Sequence, residues 1–481
     1  GGRGPELSRG PPRREDGAMT SVRLAAAVVG GRLAGRATRL ARRGSGTALP
    51  GLVAERVEPR VVELLGRTLG AGRVLVTGTN GKTTTSRLLA GMLEAAGRGF
   101  VHNREGSNLL RGFASTLVAQ ADWRGRIPGA EGLTGLFETD EATFPGAVRA
   151  LAPSVMVFTN LFRDQLDRYG EVDTVAALWR QGLAAAPRDA VLVLNADDPS
   201  VAELAEGWPG GVAWYGVEDA LAAAGEAGAS DARWCRCGGD YVYDLRFFAH
   251  VGWWRCGGCG RARPTPGTAA REIRLGLERA TFTVEGLGRP ELGLTGLYNV
   301  ENALAAIAAA RVLGLPDAAI LAGLAQTQAA FGRQEVVRLD GRRLVLLLAK
   351  NPAGANQVLL LLRAIAGEAG EGGLAVAGLL NDRFADGQDV SWIWDVDYEL
   401  AAGRVGRCWA GGDRAEDLAL RLDYAGWPRP LAVEREPGRL LDAVLAGTRE
   451  GDTVFVVPTY TALLDLRAEL QRRGAVSGRL E

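Results

Sequence analysis

Short apolar runs that end in polar turns recur along this chain, and several pass directly into helical periodicity. RVLVTGTNGKTTTSRLLAGMLEAAG (73–97) opens as an apolar strand, turns through glycines and continues with a helical repeat of apolar positions. VMVF (155–158) runs into an Asn- and Asp-rich turn, and VLVLNADDP (191–199) is a second strand with a polar end. RRLVLLLAK (342–350) leads through a turn into the apolar helix of NPAGANQVLLLLRAI, and LAVAGLL (374–380) ends at Asn381-Asp382. Strands alternating with helices in this way predict an α/β fold.

Between these segments lies an insert of different character. Strand-like YVYDLRFF (241–248) and VGWWR (251–255) sit between two cysteine pairs, Cys235-Arg-Cys237 and Cys256-Gly-Gly-Cys259. Two such knuckles joined by a hairpin predict a zinc ribbon in which four thiolates satisfy one tetrahedral ion, a structural role with no open position. Disulfides are the alternative, but nothing else in the chain suggests an oxidising compartment. The fifth cysteine, Cys408, reads as a buried structural thiol; the two histidines, His102 and His250, lie in other segments.

At 481 residues the chain has room for roughly two to four domains. The expected division is a disordered lead-in (1–20, with Met19 as the natural start), a helical segment (21–60), a central domain (61–336) carrying the ribbon insert (228–266), and a C-terminal domain (337–481). The segment 21–44 is basic and moderately amphipathic; a helix packed on the body is expected, with contact to a membrane surface as the alternative. Apolar runs stay shorter than the about 18 residues of a spanning helix. A formal net charge of zero gives no electrostatic case for nucleic acid. Among 56 basic residues only Lys82 and Lys350 are lysines, and asparagine occurs ten times, each time in a segment singled out on other grounds. Scarce residue types that persist are candidates for positions where substitution fails.

Gly78-Thr79-Asn80-Gly81-Lys82-Thr83-Thr84 is a phosphate loop shorter than the common Walker pattern. Its glycines let backbone amides approach a polyphosphate at a helix N-terminus, Lys82 can reach phosphate oxygens, and Thr83 or Thr84 can hold Mg²⁺. GTNGKTT resembles the ATP loop of the Mur ligase superfamily, whose members phosphorylate a carboxylate and let an amine attack the acyl phosphate. Further segments resemble that family in order. In FETDEATFP (137–145) Glu138 matches its Mg²⁺-binding glutamate, with Glu141 as a substitute. In FTNLFRDQLDRYG, Gln165 stands where many members have a metal-binding histidine, which puts a second metal site in doubt. In LTGLYNVENALAAIAAA (294–310) Tyr298 replaces a histidine, and Asn302 matches the nucleotide-contacting asparagine; Arg333 in FGRQEVV matches the family's arginine.

The ribbon insert, together with LLLAKNPAGANQ where ordinary members carry a DYAHNP-like segment, resembles the MurT branch. That resemblance implies a Mur-ligase-like central P-loop ATPase domain, a Rossmann-like C-terminal domain, and no counterpart of the UDP-binding domain. It also implies ATP-dependent amidation of the D-glutamate α-carboxyl of lipid II, with ATP, Mg²⁺ and structural Zn²⁺, in the cytoplasm at the inner face of the membrane. Ammonia would come from a GatD-like glutamine amidotransferase partner. Its Cys–His pair would be completed by Asp389 of this chain, with Asp386 as the second choice. Lys350 would face the ATP cleft. A stand-alone amino-acid ligase resembling folylpolyglutamate synthase is the alternative, and a non-enzymatic ATP-binding subunit is a third reading.

Overall fold

The structure, a computed structural model, describes residues 14–40, 49–103, 108–162, 172–223, 232, 234–276, 279–327, 333–366 and 372–476. Two sheets organise it. The first is built from β1 (Arg73–Thr77), β2 (Phe100–His102), β3 (Thr134–Glu138), β4 (Val155–Phe158), β5 (Val191–Asn195), β6 (Val212–Val217), β9 (Thr268–Leu275), β10 (Ala280–Val284) and β11 (Glu291–Leu292). Their order is β11-β10-β9-β6-β5-β4-β1-β3-β2. The strands from β2 to β9 pair in parallel, and the edge β9-β10-β11 is antiparallel. Successive residues of β1 enter opposite cores: Val74 and Val76 on one face, Leu75 on the other. Strands buried on both faces have no polar alternation, which is why they read as unbroken apolar runs.

Helix Leu297–Val312 is buried along nearly its whole length, between this sheet and helix Lys82–Ala95. Six alanines between Ala303 and Ala310 let it sit that deep, and its first two turns bring the polar residues Asn299, Glu301 and Asn302 into the interior. The second sheet contains β12 (Arg333–Leu339), β13 (Arg342–Leu347), β14 (Leu374–Leu379), β15 (Val405–Gly411), β16 (Val433–Glu434) and β17 (Thr453–Pro458) in the order β12-β13-β17-β14-β15-β16. All its pairs except β12–β13 are parallel.

Two boundaries differ from expectation. β12 begins at Arg333, inside the span assigned to the central domain, because it forms a hairpin with β13. The turn is Asp340-Gly341, at φ 44° and 75°, the left-handed pair a tight hairpin turn favours. At the other end, helix Arg14–Leu40 starts within the stretch expected to be a disordered lead-in. No proline falls between Pro12 and Pro50, so nothing removes a hydrogen-bond donor within it. Ala27 and Val28 of this helix pack with Ala54 and Val118, so it is part of the body. Among the described residues no helix is long and apolar enough to cross a membrane. The remaining pair, β7 (Tyr241–Phe248) and β8 (Val251–Cys256), is an antiparallel hairpin of its own, at the positions the sequence predicts for the ribbon.

Candidate active site

β1 delivers the chain to Gly78 and helix Lys82–Ala95 carries it away. Gly78 and Gly81 hold φ of 134° and 88°, and a Cβ would lie 2.0 Å from Thr159 Oγ1 at the first and 2.0 Å from Asn302 Oδ1 at the second. Both the dihedrals and the space therefore demand glycine. The turn after β4 grips the loop between them. The Thr79 amide donates to the Asn160 carbonyl at 3.0 Å, the Asn80 amide to Asn160 Oδ1 at 2.9 Å, and Asn160 Nδ2 back to the Asn80 carbonyl at 3.1 Å. The Thr79 hydroxyl is engaged with the Phe162 backbone. This corrects the expectation that the amides of Thr79 and Asn80 face a polyphosphate: they are turned to Asn160 and fix the loop's shape. The amides at the head of the helix, from Gly81 through Thr84, have no intrahelical acceptor before them, a setting that suits an anion.

The NADD turn braces that grip from behind. Asn195 Nδ2 donates to the Thr159 carbonyl at 3.1 Å, and Asp198 Oδ2 accepts from the Leu161 amide at 2.8 Å. Asp197 is fully buried against Arg263; burial pushes its carboxyl up to about 6, with the guanidinium opposing.

On the opposite side of the loop, β3 ends at Glu138, whose backbone is held in both directions by Asn103. Asn103 Nδ2 donates to the Glu138 carbonyl at 2.9 Å, and the Glu138 amide donates to Asn103 Oδ1 at 2.8 Å. The Thr83 hydroxyl lies 3.0 Å from Glu138 Oε1. Neighbouring ligands of an octahedral Mg²⁺ with bonds of about 2.1 Å sit about 3 Å apart, so this oxygen pair fits that ion. Glu141, the substitute ligand, instead reaches the Lys82 ammonium at 3.0 Å, and Lys82 also donates to the Gly78 carbonyl. Burial alone would lower the pKa of this ammonium, but Glu141, Glu138 and Asp140 outweigh it and raise the value.

The C-terminal domain closes the site. Asn351 caps helix Pro352–Ile365 by accepting from the Gly354 amide at 2.7 Å, and its Nδ2 donates to Asn80 Oδ1 at 3.3 Å. Lys350, just before it, lines a cleft together with Asn80, Gly81, Phe162, Phe248 and Tyr298. The structure thus brings Lys82, Thr83, Glu138, Asn302 and Lys350 around one phosphate loop. Arg333 contributes its backbone to β12, and its side chain lies outside the described residues, as does Gln165. Asn103 and Asn160 escaped individual prediction; the rarity of asparagine was the signal that pointed at them.

The remaining candidates lie elsewhere. Asp389 is exposed, and Ser391, through its hydroxyl and its amide, holds the Asp389 carboxyl below the usual range. Asp386 is buried and accepts from both the amide and the hydroxyl of Thr461. Cys408 is fully buried, donates to the Pro428 carbonyl, and has its thiol pushed up to about 11 by burial. The Sγ atoms of Cys235, Cys237, Cys256 and Cys259 all lie within 4.8 Å of one another, with the Cys237–Cys256 pair at 3.4 Å and Cys235–Cys259 at 3.8 Å. Bonds of about 2.3 Å to a tetrahedral Zn²⁺ would set sulfurs about 3.8 Å apart, so the set fits that ion. Amides of Gly258 and Cys259 donate to Cys256 Sγ, which favours its thiolate. At the opposite end of the ribbon, Phe248 reaches the cleft, and the His250 ring packs tilted against Phe162, centroids 4.6 Å apart, and approaches Asp198 at 3.4 Å.

Residues 76–232 match the Mur ligase middle domain family and residues 348–463 the MurT ligase C-terminal family. The chain is 33% identical over 457 residues to the MurT subunit of lipid II isoglutaminyl synthase (glutamine-hydrolyzing) from Streptococcus pneumoniae, covering 93% of this chain and 97% of that one. It is 33% identical over 444 residues to the MurT subunit from Staphylococcus aureus, covering 90% and 96%. Among solved structures, the pseudomurein peptide ligase type C of Methanothermus fervidus has a TM-score of 0.61 at 20% identity, covering 83% of this chain and 78% of that one. MurF of Acinetobacter baumannii has 0.61 at 17%, covering 89% and 79%. The Mur ligase fold is thus shared, and with a third of its residues identical across nearly the full length of two such subunits, this chain belongs to the MurT family.

Proposed function

We propose that this chain is the ligase subunit of a lipid II isoglutaminyl synthase. The α-carboxylate of the stem D-glutamate attacks the γ-phosphorus of ATP, giving an acyl phosphate and ADP. Ammonia then attacks the acyl carbon, and inorganic phosphate leaves with the C–O bond as the amide forms. The helix-heading amides and Lys82 hold phosphate oxygens. Thr83 and Glu138 would hold Mg²⁺, which supplies charge neutralisation at the phosphates. Catalysis here is positioning and electrostatics.

The observation that carries this reading is the loop itself: it holds Lys82 and the Thr83–Glu138 pair, and its Asn80 and Gly81 line a cleft that the C-terminal domain completes. The ammonia source follows from the cysteines. Four are gathered in the ribbon and Cys408 is a buried thiol held up by burial, so this chain offers no glutaminase nucleophile. Asp389 stands exposed in the chain between the exposed aromatics Phe384 and Trp394, and Trp394 packs edge-on against exposed Tyr424, features that suit a partner subunit. The test is co-expression with the glutaminase subunit, then mass spectrometry of lipid II after incubation with ATP and glutamine. A mass decrease of about 1 Da, as hydroxyl becomes amide, supports the reading. Addition of an amino acid instead would favour a stand-alone ligase, and ATP binding without turnover a non-catalytic subunit.

Lys350 supplies a second check. A compact ammonium meets phosphate or acyl-phosphate oxygens where a planar guanidinium needs more room. Lys350→Arg is therefore expected to lower kcat/KM for ATP by roughly tenfold, as read from steady-state ADP release. Unchanged kinetics would remove Lys350 from the site.

For the ribbon, we propose a structural zinc on Cys235, Cys237, Cys256 and Cys259. Purified without chelator, the chain should carry about one zinc. Cys256→Ser should release it and lower the melting temperature by several degrees, since ligand geometry and hairpin folding are coupled. A metal-free chain whose melting is indifferent to that change would refute the site.

A further inference from the structure

The cleft beside the phosphate loop has apolar walls, among them Phe162 and Phe248 from the central domain and Leu347 and Val358 from the C-terminal domain. Of the polar side chains that line it, two carry an atom that is buried without a hydrogen-bond partner among the described residues. Glu301, 4% exposed, has Oε1 in that state, and Gln357, 8% exposed, has Nε2. Buried polar atoms are nearly always satisfied, so two orphans on one cleft call for a ligand that satisfies both. One is an acceptor and the other a donor. They come from different domains: Glu301 from the second turn of the buried helix Leu297–Val312, Gln357 from helix Pro352–Ile365.

We infer that Glu301 and Gln357 together read the edge of the nucleobase, Glu301 accepting from the exocyclic amine of adenine and Gln357 donating to a ring nitrogen. Flat apolar walls suit a base, and adenine presents an amine donor beside a ring-nitrogen acceptor, where guanine presents two acceptors at the corresponding edge. Burial first, then Asp197 and Asp198, push the Glu301 carboxyl well above its usual range. Neutral or ionised, it retains an acceptor for the amine. Gln357 ends the same AKNPAGANQ segment that carries Lys350 and Asn351. Base identity is on this account read only when the C-terminal domain is in place against the loop.

The assignment rests on the ATP reading above, and the experiment separates the two. Binding of ATP and of purine riboside triphosphate, which lacks only the amine, is measured by calorimetry with Mg²⁺ on the full chain in complex with its glutaminase subunit. Inorganic tripolyphosphate serves as the base-free probe. Wild type is expected to favour ATP over purine riboside triphosphate by about tenfold or more, because a site built for an N–H rejects the analogue lacking it. Glu301→Leu should bring that ratio close to one, while Gln357→Leu should weaken both nucleotides about equally, since both retain the ring nitrogen. Tripolyphosphate should bind all three proteins alike, and the kinetic loss with ATP should fall on KM. Should Glu301→Leu fail to fold, Glu301→Gln keeps the shape and the acceptor and should preserve the ratio, leaving Gln357→Leu to carry the loss. The inference is overturned if wild type binds the two nucleotides equally, if the variants leave nucleotide affinity intact, or if tripolyphosphate binding falls in step with ATP. A wild type that binds tripolyphosphate but neither nucleotide would overturn the ATP reading itself.

Discussion

Replacing Lys82 with alanine is expected to cut ATP-dependent product formation by about 10²–10³-fold or more, measured as ADP release at saturating ATP, Mg²⁺ and acceptor. Two consequences of the same deletion must be separated. The ammonium is the cation closest to the loop, and without it the charge that develops on the transferred phosphoryl group loses its main protein counterion. The lysine is also half of a buried pair, its side chain 11% and that of Glu141 8% exposed. Removing one partner of such a pair leaves an uncompensated carboxylate, at a cost of about 3–5 kcal/mol. A fall in melting temperature is thus expected in Lys82→Ala, and it alone does not explain lost turnover. The double variant Lys82→Ala/Glu141→Gln removes the stranded charge. It should recover much of the melting temperature and none of the activity. Recovery of turnover in the double variant would show that Lys82 acts through folding and not on phosphate.

Much of this arrangement could be read from the chain before any coordinates. Strands β1, β4, β5, β13 and β14 were legible because burial on both faces removes polar residues from them, and the phosphate loop because a tight glycine turn before a helix has few other uses. What distance brings together was less accessible. Asn160 lies 80 residues from Asn80, and Asn103 35 from Glu138, yet each pair exchanges hydrogen bonds. No periodicity reports such a contact. Scarcity did, in part: in a chain that has replaced nearly every lysine with arginine, the surviving asparagines sit where a side chain must donate and accept at once. Asn195, Asn351, Asn356 and Asn381 do so at the ends of strands and helices. Glu301 carried no such mark. Beside Asn302 in the letters VEN it reads as an ordinary helix-surface acid, and only the burial of the whole helix makes it unusual. Asp340-Gly341 is a local hairpin signal, and a hairpin there assigns β12 to the C-terminal sheet.

Asp389→Asn should divide the two half-reactions of the complex. With glutamine as donor, amidation of lipid II is expected to fall by about 10²–10⁴-fold, the range seen when the acid that orients a catalytic histidine loses its charge. With ammonium chloride at high pH as donor, amidation should stay within about twofold of wild type, because Asp389 is remote from phosphate chemistry in this reading. The structure favours Asp389 over Asp386 on accessibility. The Asp389 carboxylate is exposed and its pKa is held low by Ser391, so it is ionised and open to approach from solvent. Asp386 has both carboxylate oxygens committed to Thr461, joining the loop after β14 to the start of helix Tyr460–Arg472. Asp386→Asn would disturb that junction, with a stability loss of about 1–3 kcal/mol. It should lower glutamine- and ammonia-driven rates together. The ratio of the two rates is therefore the diagnostic quantity, and it is insensitive to how much folded protein each preparation contains. A ratio that collapses in Asp386→Asn and holds in Asp389→Asn would transfer the role to Asp386. A ratio that holds in both would mean that the glutaminase subunit completes its own catalytic set.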